Sequence, residues 1–414
     1  MEIALTSGSV DGVLTPPCSK SYAQRALAVS LLTEGGSILR GLDLCDDTRS
    51  AMKCIETLGA KITQLDPTTL QIDGGLSPKA SELSIGESGL STRLFTPLAS
   101  LLREPITITG HGSILKRPMT MMIQPLTDLG VEVKHNDGHL PFVVKGSLRG
   151  GEIRVDGSLS SQFITGLLLS LPLAEEDTTL YVKDPVSTPY LDMTIETARR
   201  FGVEISHHNY EEFFIEGRQK YTPMDFTIEG DWSAASALLV AGAIAGRVKL
   251  NNCSMLSKQA DTAICRALER AGAEVINEEN AITVHHRELK AFKFNATQCP
   301  DLFPALVALA AAAEGESVFK GTSRLTHKES NRAVTLRDEY AKVGIEVTLE
   351  GDDIMRVKGG KIHSTRVDSH NDHRIAMSMA VSALRGKGDM IIEGAECVAK
   401  SYPNFFEDLK SITK

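Results

Sequence analysis

Apolar and polar positions along the chain recur with a long period. The segments LGAKI, LGVEV, FGVEI, AGAEV and VGIEV place glycines at Gly59, Gly130, Gly202, Gly272 and Gly344, at spacings of 71, 72, 70 and 72 residues. Each is followed some dozen positions later by a second β-like run: LQIDG from Leu70, FVVKG from Phe142, FFIEG from Phe213, ITVHH from Ile282 and IMRVKG from Ile354. The pairing predicts a helix ending near glycine, a strand, a turn and another strand. A second series interleaves with the first. SILRG, ITITG, TLYVKD, RVKLNN, SVFKG and MIIEG are six short strand-like runs, each preceded by an apolar stretch: ALAVSLL, TPLASLL, GLLLSLPLA, ASALLVAGAIA, PALVALAAAA and AMSMAVSAL. These six stretches are apolar on nearly every side, which predicts buried helices. Helix–strand alternation arises by chance in many α/β chains, but two series of near-constant period point to a true internal repeat. Period and element order would also suit a solenoid; the buried helices favour repeats wrapped around themselves. Six units over two domains give three per domain, with the midpoint near Thr227–Asp231.

Polar clusters sit before the six apolar helices: SKSYAQR from Ser19, ESGLSTR from Glu87, SLSSQF from Ser158, GDWSAAS from Gly230, CPDLFP from Cys299 and NDHR from Asn371. Ser, Asp and Asn have a structural reason to be there, because they cap free helix N–H groups. Lys20, Arg25, Arg93, His373 and Arg374 do not, since cations oppose the positive end of the helix dipole. N-terminal dipoles combined with cations make a site for anions. LKRP with Lys116 and Arg117, HKESNR with Lys328, Glu329 and Arg332, and VAKSYP with Lys400 enlarge the basic inventory. Singly each reads as a solvated loop charge; together they suffice for a reaction centre carrying two phosphates. Asp301 and Glu329 are then the proton-transfer candidates. No Walker loop, HExxH or metal-ligand spacing occurs, so Arg and Lys are expected to neutralise phosphate, with no metal or other cofactor.

Composition narrows the picture further. At 414 residues the chain exceeds what one core usually supports, and 42% hydrophobic with 23% charged residues is an ordinary globular composition. The net charge of −9, from 53 acids and 44 bases, disfavours nucleic acid and membrane surfaces as partners. No window approaches 18 consecutive apolar residues, and MEIALTSGSVDG lacks the basic and apolar regions of a signal peptide. Seven scattered cysteines without a CxxC pair read as reduced thiols, so a cytoplasmic location is expected.

Seven motifs carry a specific resemblance when taken in order. They are SKSxxxRAL at Ser19, DGSLSSQF at Asp156, STPYLDMT at Ser187, PDLFP at Pro300, HKESNR at His327, DHRIAM at Asp372 and KSYPNF at Lys400. Along nearly its whole length the chain resembles the 5-enolpyruvylshikimate-3-phosphate synthases of the enolpyruvyl transferase family. The resemblance implies an α/β fold of two domains, each built of three βαβαββ repeats with buried helices (an enolpyruvyl transferase-like inverse α/β barrel). It implies domains at residues 19–228 and at 1–18 plus 229–414, closing around substrate. The expected reaction moves the enolpyruvyl group of phosphoenolpyruvate to the 5-hydroxyl of shikimate-3-phosphate, in a monomer that needs no cofactor.

Carried over position by position, the resemblance implies that Lys20, Ser21, Arg25, Ser160, Ser161, Ser187, Tyr190, Asp301 and Lys328 contact shikimate-3-phosphate. Lys20, Gly89, Arg117, Gln162, Arg332, Arg374 and Lys400 match phosphoenolpyruvate-binding positions. Asp301, Glu329 and Lys20 match catalytic ones. Departures fall at Cys18, where the family often has glycine, at Leu90 within GESGLSTR, and at Ser113, Thr326 and Asn331. The nearest rival is the cell-wall enolpyruvyl transferase acting on UDP-N-acetylglucosamine. Its usual cysteine falls at Gly112 here, and no cysteine occurs between Cys54 and Cys253. A repeat-built binding or RNA-processing relative is the alternative from another class; the acidic charge disfavours RNA, and such a protein leaves the Asp301 and Glu329 pair unexplained.

Overall fold

The computed structural model describes every residue except His327, so the first residue of the HKESNR motif lies outside the described residues. The chain divides into two compact units, one of Cys18–Glu229 and one of Met1–Pro17 with Gly230–Lys414. The described residues form six small sheets, three in each unit.

The second repeat shows the pattern in full. Strand Glu82–Ser84 leads to helix Gly89–Ala99, strand Ile106–Thr109, short helix Ile123–Asp128 and the hairpin Glu132–Asn136 with His139–Lys145. The first two strands pair in parallel and the hairpin adds antiparallel, giving the spatial order first, second, fourth, third. The third and fifth repeats share this topology. The first and fourth obtain their leading strand from elsewhere in the chain. Gly36–Arg40 pairs in parallel with Asp225–Thr227, and Gly246–Asn251 with Val10–Leu14. In the sixth sheet Glu2–Leu5, antiparallel to Met390–Glu393, stands where a hairpin would be. That substitution explains why the glycine series has five members and the strand series six.

Each apolar stretch forms a helix: Lys20–Leu32, Gly89–Ala99, Gln162–Ser170, Trp232–Ala245, Phe303–Ala311 and His373–Ala383. Three of them, Gly89–Ala99, Phe303–Ala311 and His373–Ala383, are buried at every residue. In the other three the exceptions gather at the starts, at Lys20, Ser21, Gln162 and Ser233, with only Ala245 at a far end. Hydroxyls inside these helices return their hydrogen bonds to the preceding turn. Thr96 Oγ1 donates to the Thr92 carbonyl at 2.6 Å and Ser170 Oγ to that of Gly166 at 2.7 Å, which satisfies polar groups without water.

The Gly89–Ala99 and Gln162–Ser170 helices pack against each other most intimately. Gly166 makes this possible, because a Cβ there would lie 2.3 Å from the Arg93 carbonyl oxygen and 3.0 Å from Pro97 Cγ. A backbone carbonyl cannot swing aside, so even a methyl group must push the helices apart. Gly166→Ala is expected to destabilise by about 1–3 kcal/mol despite the better helix propensity of alanine. Calorimetry should then show a melting temperature lower by roughly 2–10 °C. An unchanged or raised melting temperature would refute the close-packing account.

Candidate active site

In the Cys18–Glu229 unit the helix starts carry most of the expected substrate contacts. Ser19 caps Lys20–Leu32, its Oγ accepting from the Tyr22 amide at 3.4 Å, and Ser88 caps Gly89–Ala99, accepting from Ser91 at 3.2 Å. Before Gln162–Ser170 it is Ser160 Oγ that accepts the Gln162 amide at 3.2 Å, while buried Ser161 makes no such cap bond. Lys20 Nζ lies 3.0 Å from Asp47 Oδ2.

Arg25 projects from the first of these helices into the interior and is 1% exposed. Its Nε donates to Thr194 Oγ1 at 2.9 Å, Nη1 to the Ser21 carbonyl at 2.9 Å, and Nη2 to Thr165 Oγ1 at 3.2 Å and the Tyr190 carbonyl at 3.0 Å. All four acceptors are neutral. Burial pushes the guanidinium down to about 10, so it remains charged at neutral pH. These bonds hold together the Lys20–Leu32, Gln162–Ser170 and Thr188–Arg200 helices. Ser187 sits just before the last of them in the left-handed region, at φ 55°.

A second cationic group forms around Gly89. A Cβ on that residue would stand 3.0 Å from Arg117 Nη1, 3.1 Å from Arg93 Nη1 and 3.6 Å from Gln162 Oε1. Arg93 Nη1 donates to Gln162 Oε1 at 2.7 Å. Burial, reinforced by the neighbouring Arg117 charge, pushes Arg93 down to about 10. Two guanidiniums converging on a glycine at a helix start form a cradle for a small anion. Gly89, Arg117 and Gln162 therefore come together, and Arg93 joins them. Arg93 was visible in the sequence as a cation at a helix start, but no motif set it apart from its neighbours.

The unit of Met1–Pro17 with Gly230–Lys414 gathers carboxylates and cations on one guanidinium. Arg332, at the start of the Arg332–Lys342 helix and fully buried, donates from Nη1 to Asp301 Oδ1 at 2.7 Å and from Nη2 to Glu329 Oε2 at 2.6 Å. Its Nε reaches Asp372 Oδ2 at 2.8 Å and its Nη2 also Asp372 Oδ1 at 3.2 Å. Burial alone would lower Arg332, but Asp372, Glu329 and Asp301 overcome it and raise the group well above the ordinary arginine value. Lys328 Nζ lies 3.1 Å and Arg374 Nε 3.9 Å from the same Asp301 oxygen.

Asp301 answers this surrounding. Burial opposes its charge, but Lys328, Arg374 and Arg332 prevail and hold the carboxyl well below the usual carboxylate range. Its side chain keeps 23% exposure, enough for a ligand to reach it. Asp301 is not a helix cap: no side-chain cap bond is made at the start of Pro300–Leu302 or of Phe303–Ala311. Asp372 does cap, accepting the Arg374 amide at 3.0 Å while it binds Arg332. Its double duty was not visible in DHRIAM, where the cations His373 and Arg374 stood out instead. Lys400 ends a 3-10 turn, Ala395–Lys400, that packs on the His373–Ala383 helix.

Among the described residues no cluster of His, Cys, Asp and Glu is arranged to hold a metal, and no helix is long and apolar enough to cross a membrane. The geometry thus provides anion cradles and a carboxylate pair fixed on a shared guanidinium.

Comparison with known proteins agrees with that chemistry. The family model described as EPSP synthase (3-phosphoshikimate 1-carboxyvinyltransferase) matches residues 5–409. A 3-phosphoshikimate 1-carboxyvinyltransferase of Clostridium perfringens is 35% identical over 99% of this chain and 98% of its own length. One of Thermococcus kodakarensis is 38% identical over 97% and 98%. The solved EPSP synthase of Acinetobacter baumannii superposes with a TM-score of 0.85 at 28% identity, covering 100% of this chain and 98% of that one. The enolpyruvyl transferase NikO of Streptomyces tendae, 16% identical with a TM-score of 0.81, shares the fold. With a family model spanning almost all of its length and relatives above 30% identity along the whole chain, this protein belongs to the EPSP synthase (3-phosphoshikimate 1-carboxyvinyltransferase) family.

Proposed function

We propose that this chain transfers the enolpyruvyl group of phosphoenolpyruvate to the 5-hydroxyl of shikimate-3-phosphate, releasing phosphate, as a step of aromatic amino-acid biosynthesis. The observation that carries the chemistry is the pair Asp301 and Glu329, held on two nitrogens of one buried guanidinium at 2.7 and 2.6 Å. A shared rigid anchor fixes the spacing of two proton-transfer groups before substrate arrives. We take the enzyme to be a cytoplasmic monomer; seven buried cysteine thiols suit a reducing compartment.

In this reading Lys20, Ser21, Arg25, Ser160, Ser161, Ser187, Tyr190 and Lys328 hold shikimate-3-phosphate. Gly89, Arg117, Gln162, Arg332, Arg374 and Lys400, with Lys20, hold phosphoenolpyruvate. Arg25 serves through its charge and through the Ser21 and Tyr190 backbone that it orients. Arg332 commits most of its donors to Asp301, Glu329 and Asp372, so its larger part is to position the carboxylates.

The reaction is addition followed by elimination. A proton reaches the methylene carbon of phosphoenolpyruvate, the 5-hydroxyl oxygen bonds to the adjacent carbon, and a base removes the hydroxyl proton. The resulting tetrahedral ketal loses phosphate from that carbon and a proton from the new methyl group, which restores the double bond. Asp301 faces the hydroxyl and Glu329 handles the proton at the methylene carbon. Asp301 is too weak a base while three cations hold it. Substrate anions settling on Lys328 and Arg374 draw off part of that field and raise its basicity when it is needed.

Phosphate release is expected from shikimate-3-phosphate and phosphoenolpyruvate together; turnover only with UDP-N-acetylglucosamine as acceptor would defeat the proposal. Asp301→Asn should keep the native circular dichroism spectrum, because the amide oxygen can still accept from Arg332, and melt at a lower temperature, yet lose roughly 100-fold or more in kcat. Wild-type turnover in that variant would return Asp301 to a structural role. Glu329→Gln should still bind shikimate-3-phosphate while solvent deuterium enters phosphoenolpyruvate more slowly during turnover. Exchange at the wild-type rate would remove Glu329 from the proton path.

A further inference from the structure

Asp261 has no role in any of the chemistry above, yet its environment is among the most unusual in the protein. It lies in the 3-10 turn Ala260–Ala263, directly before the Ile264–Ala271 helix, and is 1% exposed. It makes no side-chain cap bond at the start of its turn. One carboxyl oxygen, Oδ2, accepts a hydrogen bond from Ser233 Oγ. The other, Oδ1, is buried with no hydrogen-bond partner among the described residues. An oxygen shut off from solvent and left unpaired is unfavourable for the ionised form in particular.

Its neighbours show what it can influence. Ser233 lines a crevice shared with Asp301 and Arg374, formed among the Trp232–Ala245, Phe303–Ala311 and His373–Ala383 helices. Asp231 precedes the first of these helices and opposes a charge on Asp261, as does Asp301 ahead of the second; Arg374 on the third favours it. The Cys299 thiol also feels Asp261, is raised by burial above all, and stays protonated; Arg266 on Asp261's own side moderates it. Burial is the largest influence on Asp261, followed by Asp301. Together they lift the carboxyl to about 7, with Arg374 and the Ser233 hydroxyl pulling the other way.

We propose that Asp261 is a positioning residue for anion capture: by binding or releasing one proton within electrostatic reach of Arg374 and Asp301, it sets how firmly Arg374 holds phosphoenolpyruvate. With Asp261 neutral, Arg374 offers its field to the incoming anion. With Asp261 charged, part of that field is spent internally and the anion is repelled. The proposal rests on Arg374 being a donor-anion contact.

The test is the KM for phosphoenolpyruvate from pH 6 to pH 8.5 in the wild type and in Asp261→Asn, each with saturating shikimate-3-phosphate. The amide keeps the shape and the Ser233 bond but cannot ionise. The wild-type KM should rise about fivefold more than that of the variant across this range, while kcat is affected less. Comparing the two enzymes cancels the titration of the substrate phosphate. Parallel KM profiles, or a variant defect confined to kcat, would overturn the proposal. Ser233→Ala supplies an independent arm should Asp261→Asn not fold. Losing the hydroxyl removes a bond that favours the charged form, so the inflection in KM should move to higher pH; an unmoved or lowered inflection counts against Asp261. Absence of any turnover of phosphoenolpyruvate by the wild type would be a different failure, that of the assigned reaction.

Discussion

A guanidinium removed from water must be neutralised and fully hydrogen-bonded, and Arg332 is the place where this chain meets that demand most completely. Asp301, Glu329 and Asp372 supply the negative charge, and each comes from a different part of the sequence. Breaking such a buried pair from one side typically costs about 3–5 kcal/mol, because the remaining charge is stranded. The same contacts that keep Arg332 tolerable therefore keep the two carboxylates at a fixed separation. They also tie the Arg332–Lys342 helix to the capping residue of His373–Ala383. Fold and reactive geometry share one set of bonds here.

The other unit solves the same problem differently. Arg25 is as deeply buried as Arg332, but its acceptors are hydroxyls and backbone carbonyls, which satisfy the donors without cancelling the charge. Arg93 and Arg117 point their nitrogens at the same glycine. The charge that neutral acceptors leave standing on Arg25, in a low-dielectric interior, attracts a multivalent anion far more strongly than a surface lysine would. The net charge of the protein is −9, so this attraction is local. The acidic exterior and the cationic helix starts together favour a small anion over a polyanion.

Much of the architecture could be read from the sequence because it is written in repetition. The glycine-marked hairpins and the six all-round apolar helices are signals over whole segments, and each recurs in the folded chain. The leading strands were harder to see. Glu82–Ser84, Lys293–Asn295 and Arg366–Asp368 have three residues each, too short for an alternating pattern to stand out. At the candidate site, local motifs marked Asp301, Lys328, Glu329, Arg332 and Arg374, which the structure gathers into one cluster. That a single arginine would anchor three carboxylates was not legible, since it depends on contacts 31 and 40 positions apart. Asp261 left no trace at all: an acid ahead of an amphipathic helix is commonplace, and only its burial makes it unusual.

The loaned strands have a consequence for the order of events during synthesis. Asp225–Thr227 completes the first sheet of the Cys18–Glu229 unit, so that unit becomes saturable as soon as its last residues leave the ribosome. Val10–Leu14 and Glu2–Leu5 have a longer wait. The partner of the first, Gly246–Asn251, emerges more than half a chain later, and that of the second, Met390–Glu393, almost at the end. Until then Glu2–Leu5 and Val10–Leu14 carry unpaired strand edges, the feature that invites wrong pairing. Closing loops of such length is slow, and these contacts have among the highest sequence separation in the molecule. The short span of Glu2–Leu5, opened by an acid and with a burial pattern that leaves every second residue exposed, suits a segment that must stay soluble alone before it is paired.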